Sequence, residues 1–139
     1  MNYGRIALAT VGGFVGYFAA GFAILSLVPQ MMNEYQKYSA VYRSREGQMA
    51  FMPALMAATL VAILVLTMLY AMVYRGGSGL AEGARFGALI GVFAVCVYVV
   101  HNYVTLNIGL KLTLMQAVAY FVQWTVAGTV IGLLYKPSA

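Results

Sequence analysis

The chain has 139 residues and a formal net charge of +5, which is room for one domain. Hydrophobic residues make up 63% of it and charged residues only 8%, whereas charged residues make up about 25% of a typical soluble domain. So few charges cannot cover a water-facing surface, which excludes an ordinary cytosolic enzyme and a disordered segment. The Lys and Arg residues stand singly between apolar runs, so we expect no nucleic-acid partner.

Four long apolar runs predict four membrane-spanning helices, because a span needs roughly 20 apolar residues. We expect the first run to be retained, since it is longer than the roughly 7–15 apolar residues of a signal peptide. The expected fold is all-α, an integral membrane four-helix bundle that forms one domain over residues 1–139. The predicted spans cover residues 6–28, 51–74, 84–103 and 112–135.

The segment 29–50 separates the first two predicted spans and is rich in tyrosine. Tyr35, Tyr38 and Tyr42 follow an i, i+3, i+7 pattern, which places them on one face of a helix. This pattern predicts a short interfacial helix whose tyrosines dip into the lipid boundary. The simplest interpretation is a general aromatic belt, and the more specific one is a lid over a cavity or a docking surface.

Small residues recur at four-residue steps and predict close packing of helices, because small side chains let two backbones approach within a membrane. A compact bundle formed by one chain would use these positions. Alternatively, the stripe on the third helix serves a homo-oligomer or a larger membrane complex. The second helix carries Ala54, Ala58 and Ala62 at the same spacing, and the first helix carries Ala20. The glycines concerned are Gly12, Gly16, Gly83, Gly87, Gly91, Gly128 and Gly132.

Polar residues near one rim of the bundle form the candidate binding site. They surround the single histidine, which lies near the end of the predicted third helix. One interpretation is that this histidine hydrogen-bonds to Gln116 or to a backbone carbonyl, and the other is that it contacts a lipid headgroup, a quinone or a small solute. The candidate residues are His101, Asn102, Gln116, Tyr98 and Glu34.

Residues for catalysis or ion coupling are scarce. The carboxylates Glu34, Glu46 and Glu82 all lie outside the predicted spans, which disfavours an ion-coupled transporter because such transporters bind the ion at a buried ionisable group. Glu82 and Arg85 are spaced to form an ion pair on one helix turn. No nucleophile, base and acid arrangement or metal-ligand cluster is evident. We therefore expect a protein that is not an enzyme, with no metal and no cofactor.

Several short motifs resemble a family of small bacterial four-helix membrane proteins. They are the Met-Asn-Tyr start, the glycine-rich first helix, and Ala81-Glu82-Gly83 followed by glycines at four-residue steps. The last is Asn102-Tyr103 followed two turns later by Leu-Lys-Leu. This family is known mainly as a domain of unknown function. The resemblance implies a bacterial inner-membrane bundle and brings no activity with it.

Two functions remain open on the sequence. The favoured one is an accessory or structural subunit that packs in a membrane complex or a homo-oligomer, with the lipid bilayer as its surroundings. The alternative is a protein that binds or transports a lipid, a quinone or a small solute near His101. We expect a multi-pass inner-membrane protein. The cations divide evenly between its two sides, and the α-amino group favours cytoplasmic termini.

Overall fold

The computed structural model describes residues 2–136, and every regular element in that range is a helix. Four helical stretches are long and apolar enough to cross a membrane, so the prediction of an all-α chain with four long apolar helices is confirmed. The elements are α1 (Tyr3–Leu27), α2 (Gln30–Gln36), α3 (Arg45–Ala50), α4 (Met52–Val73), α5 (Gly79–Ala94), a π-helical segment (Val95–Val100), α6 (His101–Thr105) and α7 (Leu110–Leu134).

Local sequence determines where the long helices begin and end. The side chain of Asn2 accepts a hydrogen bond from the Arg5 amide at 3.1 Å and so caps the start of α1. Helix α1 stops at Leu27, two residues before Pro29, because the residue preceding a proline disfavours helical geometry. Pro53 lies in the first turn of α4, where its missing amide hydrogen costs no helical hydrogen bond.

Helix α5 begins at Gly79, ahead of the predicted span that starts at residue 84. The Glu82 carboxylate in its first turn accepts a hydrogen bond from the Gly77 amide at 3.1 Å, which closes the chain back onto the helix start. The expected ion pair between Glu82 and Arg85 is not formed. A carboxylate near a helix N-terminus is also favoured by the helix dipole.

Helix α7 lies at the centre of the bundle and packs along both α5 and α1, whereas α4 packs mainly on α1. A buried cluster joins α1, α4 and α7 at the end of the bundle where both termini lie. Tyr70 is at its centre, with its ring 5.3 Å from Phe86 and 6.0 Å from Tyr135. The buried members are Ile6, Ala9, Ile63, Tyr70, Ile131 and Tyr135.

The contact between α5 and α7 is backbone against backbone. A Cβ atom added to Gly83 would lie 2.5 Å from the Gly128 carbonyl oxygen, and one added to Gly87 would lie 2.6 Å from that of Trp124. The third-helix stripe is therefore covered by α7 of the same chain. The glycines that face each other are Gly79, Gly83 and Gly87 on α5 and Gly128 and Gly132 on α7, while Gly91 faces Phe121.

The π-helical segment keeps the third helix in contact with α7. Positions four residues apart drift around an α-helix, which has about 3.6 residues per turn. A π turn bonds residue i to i+5 and so carries more residues per turn, which corrects the drift. Val99 consequently remains fully buried, eight residues beyond Gly91.

Helices α1 and α4 use different packing from the glycine contact of α5. The glycines of α1 face side chains of α7: a Cβ on Gly16 would lie 3.1 Å from Val130 Cγ2. The small-residue face of α4 is not used for packing within residues 2–136, because Ala54 and Ala58 are exposed and Ala62 is half-buried. Its buried positions are Thr59, Ile63, Thr67 and Tyr70.

Candidate functional site

The segment 29–51, which we call the cap, folds over one end of the bundle. It contains two short helices, α2 and α3, joined by a turn, rather than one continuous helix. Ser44 begins α3 by accepting a hydrogen bond from the Gly47 amide at 3.2 Å. Tyr35 therefore lies on α2, while Tyr38 and Tyr42 lie in the turn.

The three cap tyrosines direct their hydroxyl groups toward α7. Gln116 Nε2 donates to the hydroxyl oxygens of Tyr35 at 2.9 Å and Tyr42 at 3.1 Å. The Gly109 amide donates to the Tyr38 hydroxyl at 3.0 Å. The rings of Tyr35 and Tyr42 also meet edge to face, with centroids 5.0 Å apart. The tyrosines thus anchor the cap to the start of α7.

The Gln116 amide is buried beneath the cap, with 2% of the residue exposed. Its Oε1 atom has no hydrogen-bond partner among residues 2–136. If the amide oxygen and nitrogen were exchanged, the tyrosine hydroxyls would donate to the oxygen and the nitrogen would lack an acceptor. One buried polar atom of Gln116 would therefore still be unpaired. An unpaired buried polar atom costs about 1–3 kcal/mol.

A buried carboxylate provides the second anchor of the cap. Glu34 is 5% exposed, and its Oε1 accepts from Lys37 Nζ at 2.6 Å and from Lys111 Nζ at 2.7 Å. The hydrogen bonds from Lys111 and Lys37 hold the pKa of the Glu34 carboxyl below its usual value, and Glu34 raises the pKa of Lys37 in turn. Burial raises the pKa of Tyr35 to about 12, so this hydroxyl stays neutral.

Two adjoining cavities lie beneath and within the cap. The outer cavity, of about 310 Å³, lies between α2, the turn and α3, and it contains Arg43 and Arg45. The inner recess, of about 220 Å³, lies between α1, α2, α4 and α7. Met32, Tyr35 and Gln48 line both, so the two cavities share a wall.

The inner recess combines apolar walls with polar groups that have spare hydrogen-bonding capacity. Tyr17, Tyr120 and Gln123 line it alongside Phe18 and Leu55. The Tyr17 hydroxyl makes no hydrogen bond within residues 2–136. Gln123 Nε2 reaches the Tyr17 carbonyl oxygen only at 3.5 Å, which is beyond the usual N–H···O range. A guest molecule in the recess would find both groups available.

The predicted site residues are only partly brought together. Glu34 and Gln116 both lie under the cap. His101 does not join them, because it is exposed and its side chain makes no hydrogen bond within the described part of the chain. Tyr98 is 46% exposed and packs against Tyr120, with ring centroids 5.1 Å apart. Asn102 is half-buried and lines neither cavity.

The expected hydrogen bond from His101 to Gln116 is therefore wrong, and the site is centred on Gln116. Its amide nitrogen is hydrogen-bonded to two cap tyrosines, which sequence spacing assigned to the lipid boundary. Sequence reasoning also missed Tyr17 and Tyr120 as site residues. Their position inside apolar spans, away from the span ends where belt tyrosines lie, was an available signal.

Within residues 2–136, no group of three or more His, Cys, Asp or Glu side chains is arranged to hold a metal ion. The chain matches no known family model, no curated protein and no solved structure. The resemblance of its short motifs to small bacterial membrane proteins thus remains a prediction.

Proposed function

We propose that this chain is a multi-pass inner-membrane protein that binds a membrane amphiphile in the inner recess without catalysing a reaction. In this proposal the four long helices cross the bilayer, the cap lies at one surface, and both termini are cytoplasmic. The four helices of sufficient length and apolarity support the embedding. The recess supports the binding role.

The observation that carries the proposal is the presence of available polar groups deep among apolar helices. Gln123 lies about 20 Å along α7 from Leu110, at about 1.5 Å per residue. Polar side chains at such depth are costly in a bilayer and commonly mark a ligand or ion path. An apolar wall with a few convergent polar groups is the usual composition of a small-molecule site. A molecule with a hydrogen-bonding head and an apolar body matches this lining.

The lining chemistry favours binding over catalysis. The recess residues offer hydroxyls, amides and thioethers, whereas His101 and Cys96 do not line it. A tyrosine hydroxyl beside a glutamine amide can donate and accept hydrogen bonds, but neither group is a base strong enough to activate a nucleophile. The polar groups therefore act to orient a bound head group.

The accessory-subunit function remains the second candidate, and the outward face of α4 favours it. Ala54 and Ala58 are exposed there, and small residues on one helix face allow a neighbouring helix to approach closely. In this case the chain would pack within a homo-oligomer or a larger membrane complex. The glycines of α5 give no support to it, because α7 covers them.

A pair of matched substitutions on α4 tests the binding function. Leu55 is 53% exposed and lines the recess, whereas Leu60 is 41% exposed and lies outside it. We expect Leu55→Trp to fill the recess and to abolish a co-purifying small-molecule mass in native mass spectrometry from mild detergent. Leu60→Trp, with the same added volume, should retain that mass.

Two results would contradict the binding function. One is an equal amount of bound small molecule in both tryptophan variants, because the ligand would then lie elsewhere. The other is an unoccupied chain that is recovered only with protein partners, which would support the accessory-subunit function instead. The helix content of both variants should match the unsubstituted chain.

A further inference from the structure

The outer cavity is rich in groups that bind anions. Its lining residues include Arg43 and Arg45 together with Ser39, Ser44 and Gln48. Apart from Gln48, these residues contribute nothing to the lining of the inner recess. The cavity therefore presents a chemistry of its own.

Both arginines are available for a ligand. The ion pairs within residues 2–136 join Glu34 to Lys37 and Lys111, so neither arginine is neutralised there. Glu46 follows Arg45 directly in the chain, but the two side chains form no ion pair within the described range. Residues 38–51 carry Arg43 and Arg45 against Glu46, a net charge of +1 beside the outer cavity.

Arg43 is held in place without using its N–H donors. Its Cζ atom lies 4.0 Å from the centroid of the Phe51 ring, a cation–π contact. Gln48 Nε2 donates to the Arg43 carbonyl oxygen at 2.9 Å and fixes the backbone of the turn. A guanidinium that is stacked in this way keeps its planar fork free for an anion.

We propose that the outer cavity binds the phosphate group of an anionic lipid whose chains enter the inner recess. Arginine forks match phosphate oxygens with paired charge-assisted hydrogen bonds, and the serine hydroxyls add donors. Met32, Tyr35 and Gln48 line both cavities, so the two lie side by side, and in this proposal one molecule spans them. This inference rests on the proposed binding function and names the class of its ligand.

The position of the cavity at the cap fits a lipid head. The cap lies at the ends of α1, α4 and α7, which is the level of the headgroups if these helices cross a bilayer. A water-soluble phosphate ester has the same anionic group, so the experiment separates the two sources.

The test uses the full chain in mild detergent and two short-chain phospholipid probes, the anionic phosphatidylglycerol and the zwitterionic phosphatidylcholine. Native mass spectrometry measures how much of each probe remains bound. The double variant Arg43→Gln with Arg45→Gln should retain about tenfold less phosphatidylglycerol. The control variant Arg75→Gln with Arg85→Gln removes two exposed arginines outside the cap and should retain it fully.

Each outcome decides a separate part of the proposal. Undiminished phosphatidylglycerol binding in the cap variant would overturn the phosphate site, and Leu55→Trp would still report on the recess. Binding lost in the cap variant but kept in Leu55→Trp would support the phosphate site and contradict the recess as the place of the chains. Retention of inorganic phosphate in the same amount as phosphatidylglycerol, lost in the same cap variant, would overturn the lipid assignment in favour of a soluble phosphate.

A single substitution guards against a folding defect. Arg45→Gln leaves the contact between Arg43 and Phe51 intact, and Arg45 is exposed. We expect this variant to show a smaller loss of phosphatidylglycerol than the double variant, with unchanged phosphatidylcholine binding. Equal loss of both lipids would contradict a charge-specific site.

Discussion

Gly87→Ala adds one methyl group at the tightest kind of contact in the bundle. The new Cβ atom would lie 2.6 Å from the Trp124 carbonyl oxygen and 2.8 Å from that of Thr125. Both obstacles are backbone atoms of α7, so no side chain can rotate away. Ordinary contact begins near 3.4 Å, and the helices would have to separate by about 0.8 Å.

The energetic cost follows from that separation. A gap of about 0.5–1 Å forfeits a quarter to a half of each affected dispersion contact, and overpacking typically costs 1–3 kcal/mol. Alanine regains about 1 kcal/mol over glycine in a helix. We therefore expect Gly87→Ala to lower the free energy of unfolding by about 1 kcal/mol.

An unfolding titration in mixed detergent micelles, followed by the helical signal, measures this loss. Gly4→Ala is the control, because a Cβ there meets only the Asn2 side chain at 3.5 Å. It should leave stability unchanged or raise it slightly through helix propensity. A lower free energy of unfolding for Gly87→Ala but not for Gly4→Ala would distinguish the effect of packing from that of helix propensity.

The packing of α5 on α7 would be refuted if Gly87→Ala unfolded together with the unsubstituted chain. It would also be refuted if the variant kept its stability but a dimer dissociated into monomers. In that case the glycine stripe would join two chains, as the alternative interpretation of the sequence holds.

Three further predictions concern the cap and the histidine. Gln116→Leu leaves the Tyr35 and Tyr42 hydroxyls without their partner and should loosen the cap by about 1–3 kcal/mol, seen as faster amide exchange of residues 35–42. Because the hydrogen bonds from Lys111 and Lys37 hold the pKa of Glu34 below its usual value in the folded chain, its ion pairs stabilise the cap at neutral pH. The stabilisation is lost as the pH falls through the lowered pKa; an acid-active protease should then cut the cap faster, and Glu34→Gln should abolish the pH dependence. His101→Ala should leave the unfolding titration unchanged, and a loss of folded protein would contradict its exposed position.

The long helices were predictable because apolar length is a local property of the sequence. The start of α5 was less predictable, because it depends on the hydrogen bond from the Gly77 amide to the Glu82 carboxylate rather than on hydropathy. The π-helical segment had no signal of its own in the chain. Its presence follows from the need to keep Val99 on α7 after Gly91.

The candidate site was only partly predictable because it depends on contacts between distant residues. Tyrosine spacing identified the cap, and Gln116 and Glu34 were recognised as polar candidates. The direction of the Tyr35 and Tyr42 hydroxyls could not be predicted from the sequence. It depends on hydrogen bonds with Gln116, which lies more than 70 residues further along the chain. His101 drew attention as the single histidine, although its place on the helix leaves it exposed.

The recess lies at the cap end because the two ends of the bundle pack by different means. Toward the termini, Gly12 and Gly13 of α1 let side chains of α7 approach, and three buried positions of α4, Ile63, Thr67 and Tyr70, also lie in that half. Toward the cap, the inward residues of α1 are bulky. Gly21 is the exception, and a Cβ atom added there would lie 2.5 Å from Gln123 Nε2. The inner recess lies in this half, between α1, α2, α4 and α7. The cap closes that end through Gln116 and Glu34 instead, with polar contacts that water or a charged head group can replace.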